Sequence, residues 1–373
     1  MTTPIIPFYK RLDKVIVKAK DCLIYDSEGN QYIDFESGDW AANLGHSNDR
    51  IIKVIQDQIE LIIHDGLQFR NKEAEDLSVA LLEILRMPGG QSVFLNSGSE
   101  AVNLGITLAK FFTKRNKVLK IDQSFISAYG HGQISVDNER LLNIPIDKID
   151  AISQYDFQQI AAFVFEPGNS KGLIQFPTAE FVETLAIAIK KSGCLLIANE
   201  VTTGFGRTGK WFASQHYTIK PDIIITGKGL GNGYPISAVS ITDRISIMFE
   251  QDNFRYAQSH QNDPLGFAIG LAVIKTIQEL GLIKSSLEKG EYFREALNNL
   301  QSKYPEKIKE TRARGLMLAI EFHAPVDVEE IYDQLLVGGF ITGIKNKTLR
   351  FMPPLVITKT DIDKLINSID NIL

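Results

Sequence analysis

Cysteine is scarce in this chain of 373 residues: there are two, Cys22 and Cys194. Cys194 stands in the apolar run CLLIAN and reads as a small core residue, so no disulfide framework is expected. Long apolar runs are missing as well. None approaches the ~20 residues that span a bilayer, so no membrane partner is expected. Positive charge is not in excess: 40 Lys and Arg against 45 Asp and Glu leave a net charge of −5. A nucleic-acid partner therefore gains no electrostatic support. The opening MTTPIIPFYKRLDK lacks an apolar signal core, which with the scarce cysteine gives the expectation of a cytoplasmic protein. No metal-ligand spacing surrounds His131 in YGHGQ, and no metal site is expected. Repeats and low-complexity stretches are absent.

The composition that remains is that of an ordinary globular protein, 44% hydrophobic and 23% charged. At ~150 residues per domain the length suggests two or three domains. Apolar runs recur at SVFL (92–95), KVLKID (117–122), IAAFVFEP (160–167), CLLIANE (194–200) and DIIIT (222–226). Between them lie amphipathic helical patterns such as EAVNLGITLAKFFTKR and FVETLAIAIKKSG, the second with glycine just past its basic end. Strands apolar on both faces and separated by helices indicate a mainly parallel α/β sheet covered on both sides. From about 264 the pattern changes. A long apolar helix is followed by a charged helix (284–303), a strand pattern RGLMLAIEF and a last hairpin and helix through LRFMPPL. The division expected is a large domain over 46–270 and a smaller α+β domain made of 1–45 and 271–373. The hairpin CLIYDSEGNQYIDF joins the smaller one, with a turn at Gly29.

One lysine, Lys228, sits in the glycine turn TGKGLGNGYP directly after the apolar run DIIIT. Ligands of open α/β sheets gather at the carboxyl ends of strands, and other polar groups share that position. NSGSE places Ser97, Gly98 and Ser99 at a helix start, where free N–H groups receive anions. The same Ser-Gly-Ser also serves as a plain N-cap, so both readings stand. Glu166 and Asn199 end two further runs. A desolvated lysine forms imines, and a phosphate seat beside it points to a phosphorylated aldehyde. Pyridoxal 5'-phosphate has the matching parts.

The stretch LLIANEVTTGFGRTGKWFASQHYTIKPDIIITGKGLGNGYPISAV resembles the signature of the class III aminotransferases, the ornithine, acetylornithine and 4-aminobutyrate type. LIYDSEGNQYIDFESGDWAANLGHSN, NSGSEAVNLGITLAK, VFEPGNSKGLI, QSHQNDPLGFAIGLAVI, RARGLMLAIEF and LRFMPPLVIT resemble further family segments in order, over nearly the whole chain. The resemblance implies the fold-type-I transferase architecture, pyridoxal phosphate, and a homodimer with shared active sites. It implies that Lys228 is the Schiff-base lysine and moves the substrate proton. Gly98 and Ser99, with Ser97 beside them, match the phosphate loop, and Ser259 matches a residue that reaches the partner subunit's phosphate. Phe125 and Val201 match the residues packed on the two ring faces, and Asn199 and Thr202 stand near the ring nitrogen and phenolic oxygen. Arg350 matches the arginine that grips a substrate carboxylate. Glu166 matches a glutamate able to pair with that arginine. Asp39 and Trp40 lie where members line the substrate entrance.

Three departures cluster at the chemistry. Asn199 stands where the family has an aspartate for the ring nitrogen, Thr202 where many members have glutamine, and EPGNSKG where EPVQGEGG is usual. The expected function is transfer of an amino group between an amino acid or ω-amine, with glutamate as one partner, and a 2-oxo acid or aldehyde. Because of Asn199 a pyridoxal-phosphate aminomutase or epimerase, or a weakly active paralogue, stays open as the alternative.

Overall fold

Strand Ile160–Phe165 is buried at all six residues and Leu195–Asn199 at all five. That is why both read as unbroken apolar runs rather than alternating ones. They are central in a seven-stranded sheet of the order Gln91–Leu95, Ser237–Ile241, Ile223–Thr226, Leu195–Asn199, Ile160–Phe165, Lys117–Ile121 and Leu141–Ile144. The last five are mutually parallel. Ser237–Ile241 runs antiparallel to both its neighbours. The computed structural model describes residues 5–6, 8–9, 11–132, 139–168, 172–251 and 254–373.

Helices cover the two faces of this sheet, as the patterns predict. Ile197 packs with Ala101, Leu104 and Leu108 of helix Gly98–Thr113. Its neighbour Leu196 packs on the other face with Phe181, Leu185 and Ile189 of helix Ala179–Ser192. Each leucine, isoleucine or phenylalanine among them contributes about 1.5–3 kcal/mol by leaving water. The second helix starts on the Thr178 hydroxyl and stops at Gly193, whose φ is +69°. Both cysteines are free and buried, and burial pushes the Cys194 thiol up to about 12.

A second sheet, antiparallel, runs Ile308–Arg314, Met317–Phe322, Thr348–Phe351, Gly343–Lys345. A third contains the hairpin Leu23–Asp26 and Gln31–Asp34, turned at Gly29 with φ +88°. To that hairpin the far end of the chain adds Phe340–Ile341 in parallel. The N-terminal residues are thereby held against the C-terminal ones. Among the described residues no single helix is long and apolar enough to cross a membrane.

The topology positions the site. Parallel strands end at one edge of their sheet. Two antiparallel steps through Ser237–Ile241 give Gln91–Leu95 the same direction as Ile223–Thr226. The loops that follow Leu95, Phe165, Asn199 and Thr226 therefore meet on one edge, with Pro235 and Ile236 entering from the reversed strand.

Candidate active site

At that edge lies a cleft of about 460 Å³, within the range of small-molecule sites. Lys228 lines it. The lysine follows strand Ile223–Thr226 at once, on a single 3-10 turn, with φ +42°. A non-glycine residue in the left-handed region is strained, and such strain persists where surrounding structure imposes it. Burial holds the amine below the ordinary lysine range, against the raising influence of Asp39, Glu166 and Glu36. Its nitrogen lies 4.0 Å from the centroid of the Trp40 ring. The setting favours a neutral, nucleophilic amine.

The start of helix Gly98–Thr113 forms another wall. Ser97 is its N-cap in a complete capping box: the Ser97 hydroxyl accepts from Glu100 N at 3.2 Å, and the Glu100 carboxylate accepts from Ser97 N at 2.9 Å. Ser97 therefore faces its own helix, as the plainer of the two sequence readings has it. The next two N–H groups, of Gly98 and Ser99, have no partner among the described residues. Buried or half-buried amides of this kind at a helix start seat an anion. The Ser99 hydroxyl accepts from Ala128 N at 3.0 Å, which leaves its proton free to donate. Gly98 is required by space: a Cβ there would stand 2.6 Å from Val201 Cγ1.

Asn199, Val201 and Thr202 line the floor after strand Leu195–Asn199. The Asn199 amide is oriented by two backbone groups. Its oxygen accepts from Val201 N at 3.3 Å, and its nitrogen donates to Phe125 O at 3.5 Å. The nitrogen keeps a second N–H that it can offer a ligand. Glu166 accepts from Phe125 N at 3.0 Å and fixes that aromatic residue at the cleft. Glu200, fully buried, accepts from Ala213 N at 2.9 Å and Ser214 N at 2.6 Å, and so ties the floor to the following loop.

The remaining wall is a single turn of left-handed helix, Ser37–Trp40. Its φ values are +43°, +58°, +63° and +69° for Ser37, Gly38, Asp39 and Trp40. Trp40 N donates to Glu36 O at 2.7 Å, the α-type bond of a helix of the opposite hand. At about 1–2 kcal/mol for each non-glycine residue, this conformation needs strong support. Buried Asp34 gives it, accepting from Glu36 N at 2.7 Å and Gly38 N at 2.9 Å. Arg207, fully buried, gives it too: it donates to Ser37 Oγ at 3.0 Å, to Asn43 Oδ1 at 2.8 Å and to the Pro353 carbonyl. The turn carries Trp40 to the cleft, where the Arg350 guanidinium lies 4.7 Å from its ring centroid.

The cleft thus brings together Asp39, Trp40, Ser97, Gly98, Ser99, Phe125, Glu166, Asn199, Val201, Thr202 and Lys228. It leaves out two sequence candidates. Ser259 is exposed and away from the lining. Arg350 is reached through Trp40 rather than lining the cavity, and it pairs with Glu36 at 2.9 Å. Burial raises the Glu36 carboxyl and Arg350 opposes the rise. Glu36 is the functional residue the sequence reading missed, along with Asp34 and Arg207. The acidic run DFESGD was the available signal. Asn169, Ser170 and Lys171 of the departing EPGNSKG loop lie outside the described residues.

The donors present fit the expected cofactor: two unpartnered amides for a phosphate, a desolvated amine for an aldehyde, and an amide N–H for a ring nitrogen. A sequence profile described as Aminotransferase class-III matches residues 8–138 and 132–373. Acetylornithine aminotransferase of Caldanaerobacter subterraneus subsp. tengcongensis is 32% identical over 382 residues, covering 98% of this chain and 96% of that protein. Ornithine aminotransferase of Oceanobacillus iheyensis is 31% identical, covering 98% and 95%. The crystal structure of acetylornithine aminotransferase from Elizabethkingia anophelis superposes with a TM-score of 0.87 at 25% identity, covering 98% and 95%. These similarities do not favour the aminomutase or epimerase reading.

Proposed function

Since the chain belongs to the class III aminotransferases, which are pyridoxal-phosphate enzymes, we propose that it moves an amino group from the ω-carbon of a basic amino acid of the ornithine type, with glutamate and 2-oxoglutarate as the exchanging pair. The carrying observation is the half-buried Lys228, its amine desolvated, in a cleft that also holds two unpartnered helix-start N–H groups.

We assign the phosphate to the N–H groups of Gly98 and Ser99 and to the Ser99 hydroxyl, the ring nitrogen to the Asn199 N–H, and the aldehyde to Lys228. Phe125 and Val201 would pack on the ring, with Thr202 near its phenolic oxygen. When bound, the cofactor supplies an aldehyde that takes up the amino group and a ring that draws electrons from the carbon losing its proton. Lys228 Nζ would be the base that takes the proton from the substrate carbon and the acid that gives it back. Low charge on the amine suits this work, and burial favours it.

Glu36 supports the choice of donor. It occupies the guanidinium fork of Arg350. An ω-amine, with no carboxylate at its reacting end, leaves that pair intact. Glutamate must exchange its own carboxylate for that of Glu36, a bidentate substitution the fork suits. The large and small domains are taken to meet near residues 46 and 271, in keeping with the sheet membership.

A homodimer is part of the proposal. Exposed Ser259 would serve the partner's phosphate. An apolar groove of about 670 Å³ between Leu104, Leu108, Phe249 and Phe254 adjoins the same segment.

The test adds ornithine, N-acetylornithine and glutamate one at a time to the holoprotein. Conversion of bound cofactor from its aldehyde to its amine form is read by absorbance. Conversion by glutamate and by one ornithine-type donor is expected. A protein converted by glutamate and by neither ornithine-type amine overturns the donor assignment.

A further inference from the structure

The Glu36 and Arg350 side chains are only 12% and 16% exposed, so a carboxylate displaced from this pair has little water to turn to. Among the described residues the Glu36 carboxylate accepts from two side chains. Arg350 gives Nε at 3.1 Å and Nη2 at 2.9 Å to Oε2, and the Trp40 indole gives Nε1 at 3.1 Å to the same oxygen. Oε1 accepts from Arg350 Nε alone, at 3.2 Å. Main chain closes in on the pair. A Cβ on Gly343 would stand 2.2 Å from Arg350 Nε and 2.5 Å from Glu36 Oε1, and one on Gly172 would stand 2.3 Å from Arg350 Nη1.

We propose, on the reading that Arg350 receives a substrate carboxylate, that Glu36 takes up one proton from solvent whenever such a carboxylate arrives. Glutamate then binds together with a proton, whereas an ω-amine that leaves the pair intact binds without one.

Charge balance is the reason. Facing Glu36 are Asp34, Arg207, Lys228, Tyr332 and Arg350. Arg350 and Arg207 offset Glu36 and Asp34. Arg207 is committed to Ser37, Asn43 and the carbonyls of Leu316 and Pro353. Asp34 also meets His46 Nε2, at 2.7 Å. Lys228 Nζ lies over the Trp40 ring, and burial raises the Tyr332 hydroxyl, which stays neutral. A further carboxylate therefore leaves the group one charge negative. Burial raises the Glu36 carboxyl, Arg350 and then Trp40 oppose the rise, and Asp34 adds to it. Loss of Arg350 removes the larger opposition, and the arriving charge raises Glu36 again. Arg350 transfers its N–H bonds to the ligand, and the proton goes to Oε1. The Trp40 bond to Oε2 is kept, and the new O–H can donate to the ligand's carboxylate.

The test uses glutarate, a dicarboxylate with no amine to react, titrated into the holoprotein by calorimetry at pH 7. Two buffers of different ionisation enthalpy are compared, and the difference in heat counts protons. About one proton per bound glutarate is expected for the unmodified protein, and close to none for Glu36→Gln. Cofactor absorbance, followed in the same titration, separates any proton taken at Lys228. A second measurement needs no variant: Kd for glutarate between pH 6 and pH 8. It should tighten about tenfold for each unit the pH falls, while Glu36 is ionised alone and protonated in the complex. Binding without proton uptake, or equal uptake by Glu36→Gln, overturns the inference and leaves the Arg350 assignment standing. Failure of glutarate to bind at all overturns that assignment, and the inference with it.

Discussion

At Asn199 the orientation of one amide decides what the cofactor ring meets. Its nitrogen spends one N–H on Phe125 O, and the other is what we assign to the ring nitrogen. An N–H donor favours the unprotonated nitrogen, whereas a carboxylate would favour the protonated one. Asn199→Asp is therefore expected to speed the half-reaction with glutamate about tenfold, the equivalent of roughly 1.4 kcal/mol of barrier. Stopped-flow absorbance measures it, and a slower variant would show that the amide suits this chain's chemistry better than a charge does. At Glu36 the charge itself is the issue. Glu36→Gln removes the ion that fills the Arg350 fork. KM for glutamate should fall about tenfold, while KM for an ornithine-type donor changes little. Steady-state kinetics with both donors checks this, and an equal change in both would mean that Glu36 acts only on local packing.

Elements show where sequence was informative and where it was not. The parallel strands were legible because burial on both faces leaves no polar residue to break the run. The ends of those strands were legible for the same reason, since Glu166, Asn199 and Lys228 are the first charged or amide side chains after apolar stretches. The left-handed turn Ser37–Trp40 was not legible. Three of its four residues carry side chains that ordinarily avoid this conformation, and its supports, Asp34 and Arg207, act through tertiary contacts. The Glu36–Arg350 pair spans 314 residues, so the acidic run DFESGD signals a carboxylate there but not its partner. The helix start at Ser97 shows both readings at work: the serine caps, and the two amides after it stay open. Gly98→Ala tests that element. Its Cβ would meet Val201 Cγ1 at 2.6 Å, so the helix start or Val201 must shift. Cofactor affinity, measured by equilibrium dialysis, is expected to drop at least tenfold, and Val201→Ala in the same chain should restore most of it. Retention of full affinity in the single variant would show that the phosphate seat tolerates the displacement.

Over the whole molecule, acidity is a second axis of stability. His216 donates from its ring to the Thr208 carbonyl and is half-buried beside Arg314 and Lys210. Burial, and then those two cations, pull it down to about 4 from 6.5. The unfolded chain therefore binds a proton that the folded chain refuses between these values. Stability from this group is complete above pH 6.5 and is lost as the pH falls toward 4, by up to about 3 kcal/mol. Urea unfolding at pH 7 and pH 4.5 should show a larger loss in the unmodified protein than in His216→Gln. Identical losses would assign the acid sensitivity to other groups.

The Arg207 support has a consequence for biosynthesis. Ser37 Oγ, which Arg207 holds, donates in turn to the Met352 carbonyl across 315 residues. On the ribosome, Gly98, Asn199 and Lys228 all emerge before Met352 is made. The strand-end groups can thus assemble while the tryptophan wall is still without its anchor. Vitamin capture should accordingly follow release of the finished polypeptide. A chain stopped at residue 340 is expected to lose its cofactor on gel filtration, and tight retention by that fragment would refute the order.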